Sequence, residues 1–337
     1  METIRDMRVR LKSINSTKQI TESMRLISTS KVQKIKARME ANRPYFEKSL
    51  KIIGDIMDDM QFQYQFMGHA YIAGNRHGND INDINNINEI NSGGGSGGKS
   101  LIIVITGDRG LCGSYNVNAE KEAHALMRKL GDSQIITIGA KGRDYFRRRQ
   151  KNILKSFKGM SENPFYEDAQ DIGATAIKMY DDKTVDEVHL VYTEYNSMLS
   201  QTPKSVRLLP LDKPDKLRKA DKANETEKPE KTEKPDKSGG SDYTAVSAAA
   251  AKSYMSYESD MGKYFINAVT AYVSAVIFGC MLESAVCEQC ARITGMDSAV
   301  KNSDKIIDSL ELQYNQLRQS MITQEIAEIV GGANTFG

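Results

Sequence analysis

A long antiparallel coiled coil of N- and C-terminal helices, with a small α/β domain inserted between them, is the fold class this sequence predicts. Three observations carry it. An apolar stripe of helical spacing runs through the first sixty residues, a second runs through the last seventy, and between them short β-branched runs alternate with a helical one.

Residues 1–60 predict one long helix. Met7, Leu11 and Ile14 step by four and three; Ile20, Met24 and Ile27 repeat the rhythm, and Val32, Ile35 and Met39 follow. Such spacing keeps one narrow apolar seam on a helix, as a coiled coil requires. Pro44 is the first Pro or Gly in the chain. A helix of about 40 residues is roughly 60 Å long, more than a compact domain covers. Its other faces are basic, with eleven Lys or Arg against four Asp or Glu in residues 1–43. That face is either solvated or turned towards an acidic protein partner. Nucleic acid is a poorer fit, because no aromatic residue interleaves the charges before Tyr45 and Phe46.

Residues 61–99 form a connection with a low-complexity insertion, in which 78–98 place Ile at every third position among Asn and Asp before a Gly/Ser run. Residues 100–212 change grammar. LIIVIT (101–106) and QIITIG (134–139) are short apolar runs bounded by Gly, the pattern of buried parallel strands. A helical stretch, Val117 to Leu130, separates them; EVHLVYTEY (187–195) is strand-like and SVRLLPL (205–211) fits a sheet edge. Strand, helix, strand implies βαβ units. Residues 213–250 form a charged insertion whose 213–241 stretch mixes nine basic residues with acids and three prolines. Neither insertion offsets its ordering entropy by burying apolar surface. Residues 251–337 return to helix: Leu310, Tyr314, Leu317 and Met321 step by four, three and four, and Ile322, Ile326 and Ile329 prolong the stripe. Two seams at opposite ends of a chain most simply bury each other.

Composition narrows the function. With 46 basic and 44 acidic residues the net charge is +2, unlike the basic balance of a nucleic-acid binder. Apolar residues are 39% and Trp is absent, a deficit that suits an elongated molecule. Four cysteines in 337 residues are no disulfide framework and suit a reducing cytoplasm. The start, METIRDMRVRLKS, has no signal-peptide core. The expectation is a soluble chain with no bilayer-spanning helix, since no 18 strictly apolar residues run together.

Motifs for catalysis are few. Residues 93–100, GGGSGGKS, match the P-loop pattern, which would make the chain a P-loop NTPase with Lys99 on the phosphates. A P-loop needs a strand before it and a helix after it; here a low-complexity tract precedes and a strand follows. A flexible linker is the better reading. GDRGLCG (107–113) does follow a strand, but its glycine spacing is not that of a dinucleotide fingerprint. Cys112 within it reads as a small buried residue. Cys287 and Cys290, with Cys280 nearby, read as packing residues on a helix face, with redox sensitivity or metal binding as alternatives. His69 and His77 sit in or beside the low-complexity tract, where nothing is expected to orient them. No cofactor is expected. From Met321 to the end the only charges are Glu325 and Glu328, which suits either a frayed tail or a tip inside an apolar collar, where an unpaired charge is costly.

Three segments carry a resemblance. RLKSINSTKQITESMRLISTSKVQKIKARMEANRPY (10–45), VITGDRGLCGSYN (104–116) and LELQYNQLRQSMITQEIAEIVGGA (310–333) resemble ATP synthase gamma subunits, in the family's order. The resemblance implies a curved coiled coil inside a ring of alpha and beta subunits. It also implies a Rossmann-like α/β domain at the foot, meeting the epsilon subunit and the c-subunit ring. It implies a rotor that couples ion-driven rotation to conformational cycling of the ring and catalyses nothing itself. It would lie on the cytoplasmic face of the plasma (inner) membrane, peripheral and held only through the complex. By the family pattern Met24 falls where the first helix passes a beta subunit; Arg318, Gln319, Thr323 and Glu325 fall at the matching level of the last helix, and Arg292 in the same region. Gly107 departs from the Ser or Thr usual before DRG. Neither insertion holds a Cys, so the chloroplast thiol switch is not supported. The family motif begins within a dozen residues of Met1, which favours a bacterial protein without a transit peptide. A coiled-coil scaffold unrelated to ATP synthase is the remaining alternative.

Overall fold

The computed structural model describes residues 4–58, 69–74, 98–211 and 261–335. The 213–241 tract, His77 and all but the last residue of the 78–98 tract lie outside the described residues. In chain order come α1 (Ile4–Asp58), the single turn α2 (Ala70–Ala73), β1 (Ser100–Ile105), α3 (Tyr115–Leu130), β2 (Ser133–Ile138), α4 (Ala140–Arg148), β3 (Ile153–Phe157), α5 (Tyr166–Asp181), β4 (Glu187–Tyr195), β5 (Gln201–Leu209) and α6 (Met261–Thr335).

α1 has 55 residues and α6 has 75, so they are about 80 and 110 Å long. They pair in opposite directions. Arg8 Nη2 donates to Tyr314 Oη at 2.8 Å, and Lys18 Nζ lies 2.6 Å from Asp304 Oδ1. A ten-residue step forward along α1 is therefore a ten-residue step back along α6. Both contacts are exposed and screened by solvent; they mark the register rather than hold it. What holds it is the seam, which recurs every seven residues. Met7, Thr21, Ser28 and Ile35 are buried, and Leu11, Ile14, Lys18, Arg25, Val32, Met39 and Phe46 are half-buried.

That seam corrects the sequence reading in its middle. Ile20 and Ile27 are 60% and 58% exposed, while their neighbours Thr21 and Ser28 are 8% and 2% exposed. The heptad runs on through polar residues, and counting apolar side chains followed the hydrophobicity instead of the geometry. Lys18, Thr21, Arg25 and Ser28 thus leave a stretch without an aliphatic side chain between Ile14 and Val32. Thr21→Val should raise stability by about 0.5–1 kcal/mol, read as an upward shift of the thermal midpoint, although it removes the Thr21 Oγ1 hydrogen bond to Thr17 O (2.8 Å).

The five strands lie in the order β3-β2-β1-β4-β5, parallel except for β5, which runs antiparallel to β4. Successive side chains of β1 take opposite faces. Leu101, Ile103 and Ile105 join the core made with α1, α5 and α6; Ile102 and Val104 join Ala123, Met127 and Phe146 beneath α3 and α4. Gly139, φ +95°, makes the turn from β2 into α4. A Cβ there would stand 2.1 Å from Thr106 O, so no other residue fits. The strands expected at 101–106, 134–139 and 187–195 are present within a residue. β5 begins earlier than the edge expected at 205–211, and β3, α4 and α5 are additions.

The first half of α6 is the spine of this domain. From Tyr272 to Phe278 every residue is buried, and burial continues with few breaks to Arg292. A helix apolar on all sides belongs inside a protein. Residues 264–282 carry no charge, and by length and composition α6 is apolar enough to cross a membrane, with 67% of its most apolar window buried in the chain. The expectation that no segment had that capacity missed this stretch by asking for strictly apolar residues.

Candidate subunit-contact surfaces

The loop after β1 is anchored by Asp108. Its Oδ1 accepts from Ala140 N (3.0 Å), and its Oδ2 accepts from Gly159 N (2.9 Å) and Ser161 Oγ (2.8 Å). Asn116 Oδ1 accepts from Gly107 N at 2.8 Å. Leu111 (φ +62°) and Gly113 (φ +54°) turn the loop back on itself. α6 lies across it. Arg292 Nη2 donates to Glu288 Oε1 at 2.6 Å and reaches Gly110 O at 3.4 Å, with Glu288 fully buried and Arg292 5% exposed. A Cβ on Gly107 would come within 2.8 Å of the Glu288 carboxyl carbon. Glycine here lets the carboxyl group sit against the loop.

Open α/β sheets take ligands at the carboxyl ends of their strands. In this chain that crevice is filled from within. Besides Glu288 at β1, Ser284 Oγ accepts from Thr193 N (3.2 Å) and Glu283 Oε1 from Tyr195 N (2.8 Å), while Cys287 Sγ donates to Thr193 O (3.5 Å). Cys112, Cys280, Cys287 and Cys290 are all buried free thiols. The middle of α1 is tied in by Lys31 Nζ, 2.6 Å from Glu162 Oε2, whose other oxygen lies 3.5 Å from Arg109 Nε. The domain and the helix pair are one packed unit.

Burial raises the Glu288 carboxyl pKa, with Arg292 opposing the rise. Burial also pushes Glu283 up to about 7, the Tyr195 amide opposing it. An acid whose pKa is raised by folding costs stability as pH climbs from its unfolded range near 4.5 to the folded value. Glu283→Gln should therefore be neutral at pH 5 and stabilising by about 1–2 kcal/mol at pH 8, measured by urea unfolding at both pH values.

His69 is not unoriented, contrary to expectation. Its Nδ1 accepts from Tyr71 N (3.3 Å) and its ring meets Phe265 edge-on at 5.7 Å; burial lowers its pKa. Lys99 and Ser100 of the P-loop match run straight into β1. The Lys99 amide donates to Asp186 Oδ2 at 2.9 Å, so a strand stands where a phosphate cradle needs a helix N-terminus.

The proposed contact residues do not share one level. Arg25 lies within electrostatic reach of Asp297, which agrees with the register set by Arg8–Tyr314 and Lys18–Asp304. Met24, half-buried, is thus beside Ser298. Arg318, Gln319, Thr323 and Glu325, all exposed, begin about 20 residues, or roughly 30 Å, further along. The matching level assigned from the sequence is corrected on this point, because a level depends on register, which spacing within one helix cannot reveal. Arg292 is interior, its guanidinium engaged by Glu288 and Gly110.

Beyond the start of α1, α6 continues alone. Met321, Ile322, Ile326, Ile329 and Val330 are 44–72% exposed, and Glu325 and Glu328 are the only charges from 321 to 335. Lower on the pair, Leu26 and Leu312 are 64% and 66% exposed. The free end is an apolar rod with no partner in its own chain among the described residues.

A family model described as ATP synthase matches residues 3–336. An ATP synthase gamma chain of Alkaliphilus metalliredigens is 36% identical over 99% of this chain and 98% of its own length. A gamma chain of Acetobacterium woodii, described as sodium ion specific, is 34% identical over 99% of both. Among solved structures, a chain of the Euglena gracilis mitochondrial ATP synthase (OSCP, F1 and c-ring) superposes with a TM-score of 0.60 at 16% identity, covering 99% of this chain and 94% of that one.

Proposed function

The chain belongs to the ATP synthase gamma family, and from that premise we propose how its geometry serves as the central stalk. The observation that carries the proposal is the continuity of α6, which passes from the core of the α/β domain, through the paired segment, to a bare apolar tip. Torque applied at the domain reaches the tip through one unbroken helix braced by α1. The tip stands in an apolar collar of the alpha and beta subunits that its aliphatic side chains fit, with Glu325 and Glu328, its only charges, turned to polar groups of that collar, since an unpaired buried charge is costly. The domain end meets the epsilon subunit and the c ring. Met24 and the 318–325 group touch the surrounding ring at two different heights.

The chain itself performs no chemistry. The ring subunits bind nucleotide, and rotation changes which of them meets the best-fitting face of the stalk, a difference in affinity between states. Linkage makes this reciprocal, so nucleotide hydrolysis in the ring drives the stalk backwards. The complex sits on the cytoplasmic face of the membrane, and the chain is peripheral to it. The chain, tagged in its own cell, should co-purify with alpha, beta, epsilon and c subunits, and Lys99→Ala should leave ATP synthesis by that complex unchanged. Purification with unrelated partners, or ATP binding by the isolated chain that Lys99→Ala abolishes, would overturn the proposal.

A further inference from the structure

We infer that an open groove between α4 and the edge strand β3 binds a multivalent phosphate group. The groove encloses about 530 Å³. It lies at the β3 edge of the sheet beside the end of α4, lined by residues of both and of the turn between them. Four cations line it: Arg143, Arg147, Lys151 and, reaching it from the edge of β3 with its ammonium 4.7 Å from the Phe157 ring centroid, Lys155. Asp144 is the one acid in their immediate sequence; its Oδ1 lies 2.7 Å from Arg143 Nη2 and 4.0 Å from Arg147 Nη2. Three positive charges remain uncompensated. Arg147 is held loosely, its side chain 73% exposed.

Two further features turn a basic patch into a receptor for oxygen anions. Ser156 lines the groove, and its Oγ is buried without a hydrogen-bond partner among the described residues. A buried hydroxyl left unpaired is costly, and turning the Ser156 side chain towards the groove would let it donate to a phosphate oxygen. β3 is also the sheet's terminal strand, bonded to β2 on one side only, so its outer edge leaves backbone donors unpaired beside the groove. Arg presents a planar fork that suits two phosphate oxygens at once, and Lys a point charge. The set calls for a ligand with several phosphate oxygens, supplied either by a soluble polyphosphate or by an anionic phospholipid head group.

The test uses the full chain in low-salt buffer, since exposed charges are screened over about 10 Å at 0.1 M salt. Inorganic tripolyphosphate is titrated calorimetrically, and vesicles of phosphatidylglycerol, with neutral phosphatidylcholine as reference, are assayed by co-sedimentation. Saturable one-to-one binding is expected, weakened about tenfold by Arg147→Ala and again by Lys155→Ala. Ser156→Ala should weaken it several-fold, while Arg128→Ala and Lys99→Ala leave it unchanged. Tripolyphosphate binding with this pattern assigns a soluble ligand; vesicle binding alone with the same pattern assigns the head group. No saturable binding of either probe, or binding indifferent to Arg147→Ala and Lys155→Ala in variants with an unaltered thermal midpoint, overturns the inference.

Discussion

Replacing Arg292 with methionine should destabilise the folded chain by about 3–5 kcal/mol, the cost of leaving a buried carboxylate without its cation. Methionine keeps most of the apolar stem, so the loss is electrostatic rather than a cavity. Glu288 has little else to lean on: its Oε2 has no hydrogen-bond partner among the described residues. Burial already raises its pKa, and losing Arg292 raises it further. The penalty should then shrink as pH falls and Glu288 takes up a proton. Urea unfolding followed by circular dichroism at pH 8 and pH 5 measures both effects. A change below about 1 kcal/mol at pH 8 would show that the pair is dispensable. Glu288→Gln combined with Arg292→Met should recover much of the loss.

A charge placed in the seam near the tip should uncouple the motor without unfolding its foot. Leu310 is 5% exposed and by register faces α1 near Leu11. Leu310→Asp buries an unpaired carboxylate, worth several kcal/mol, and the simplest relief is for the two helices to part from that level to their free ends. The Glu288–Arg292 pair is about 20 residues away, roughly 30 Å, and should stay intact. The expected result is ATP synthesis reduced to background in the reconstituted complex. Protease cleavage would appear within α1 and the end of α6, with the α/β domain left resistant. Leu310→Met should retain synthesis. Coupled synthesis at the normal rate by Leu310→Asp would remove the helix pair from the route of torque.

The two ends of the chain were legible because burial imposes a period on their sequences, and the central strands because burial on both faces leaves uninterrupted apolar runs. β3 was not: ILKSF is short, lies at an edge and is largely half-buried or exposed, so its pattern is too weak to stand out. The polar stretch of the seam was misread for a related reason. Lys18, Thr21, Arg25 and Ser28 occupy the inner positions, while Ile20 and Ile27 draw the eye outward. The buried pair at 288 and 292 was hidden because charged residues four apart on a helix ordinarily mark a solvated face. Sequence similarity suggested Arg292 as a contact, and packing makes it an internal brace. The gap in height between Met24 and Arg318 depended on which residues of two distant segments face each other.

The unbroken course of α6 has a consequence for timing. Each residue of an α-helix turns the next by about 100°, so the azimuth of the tip relative to the foot is written in the number of residues between them. Adding one residue between Arg292 and Arg318 would swing the tip by roughly that angle, close to a third of a revolution. Adding seven would bring it back to within about 20°. Residue count in this helix is therefore a phase setting, and length changes there are expected to be tolerated in sevens rather than singly.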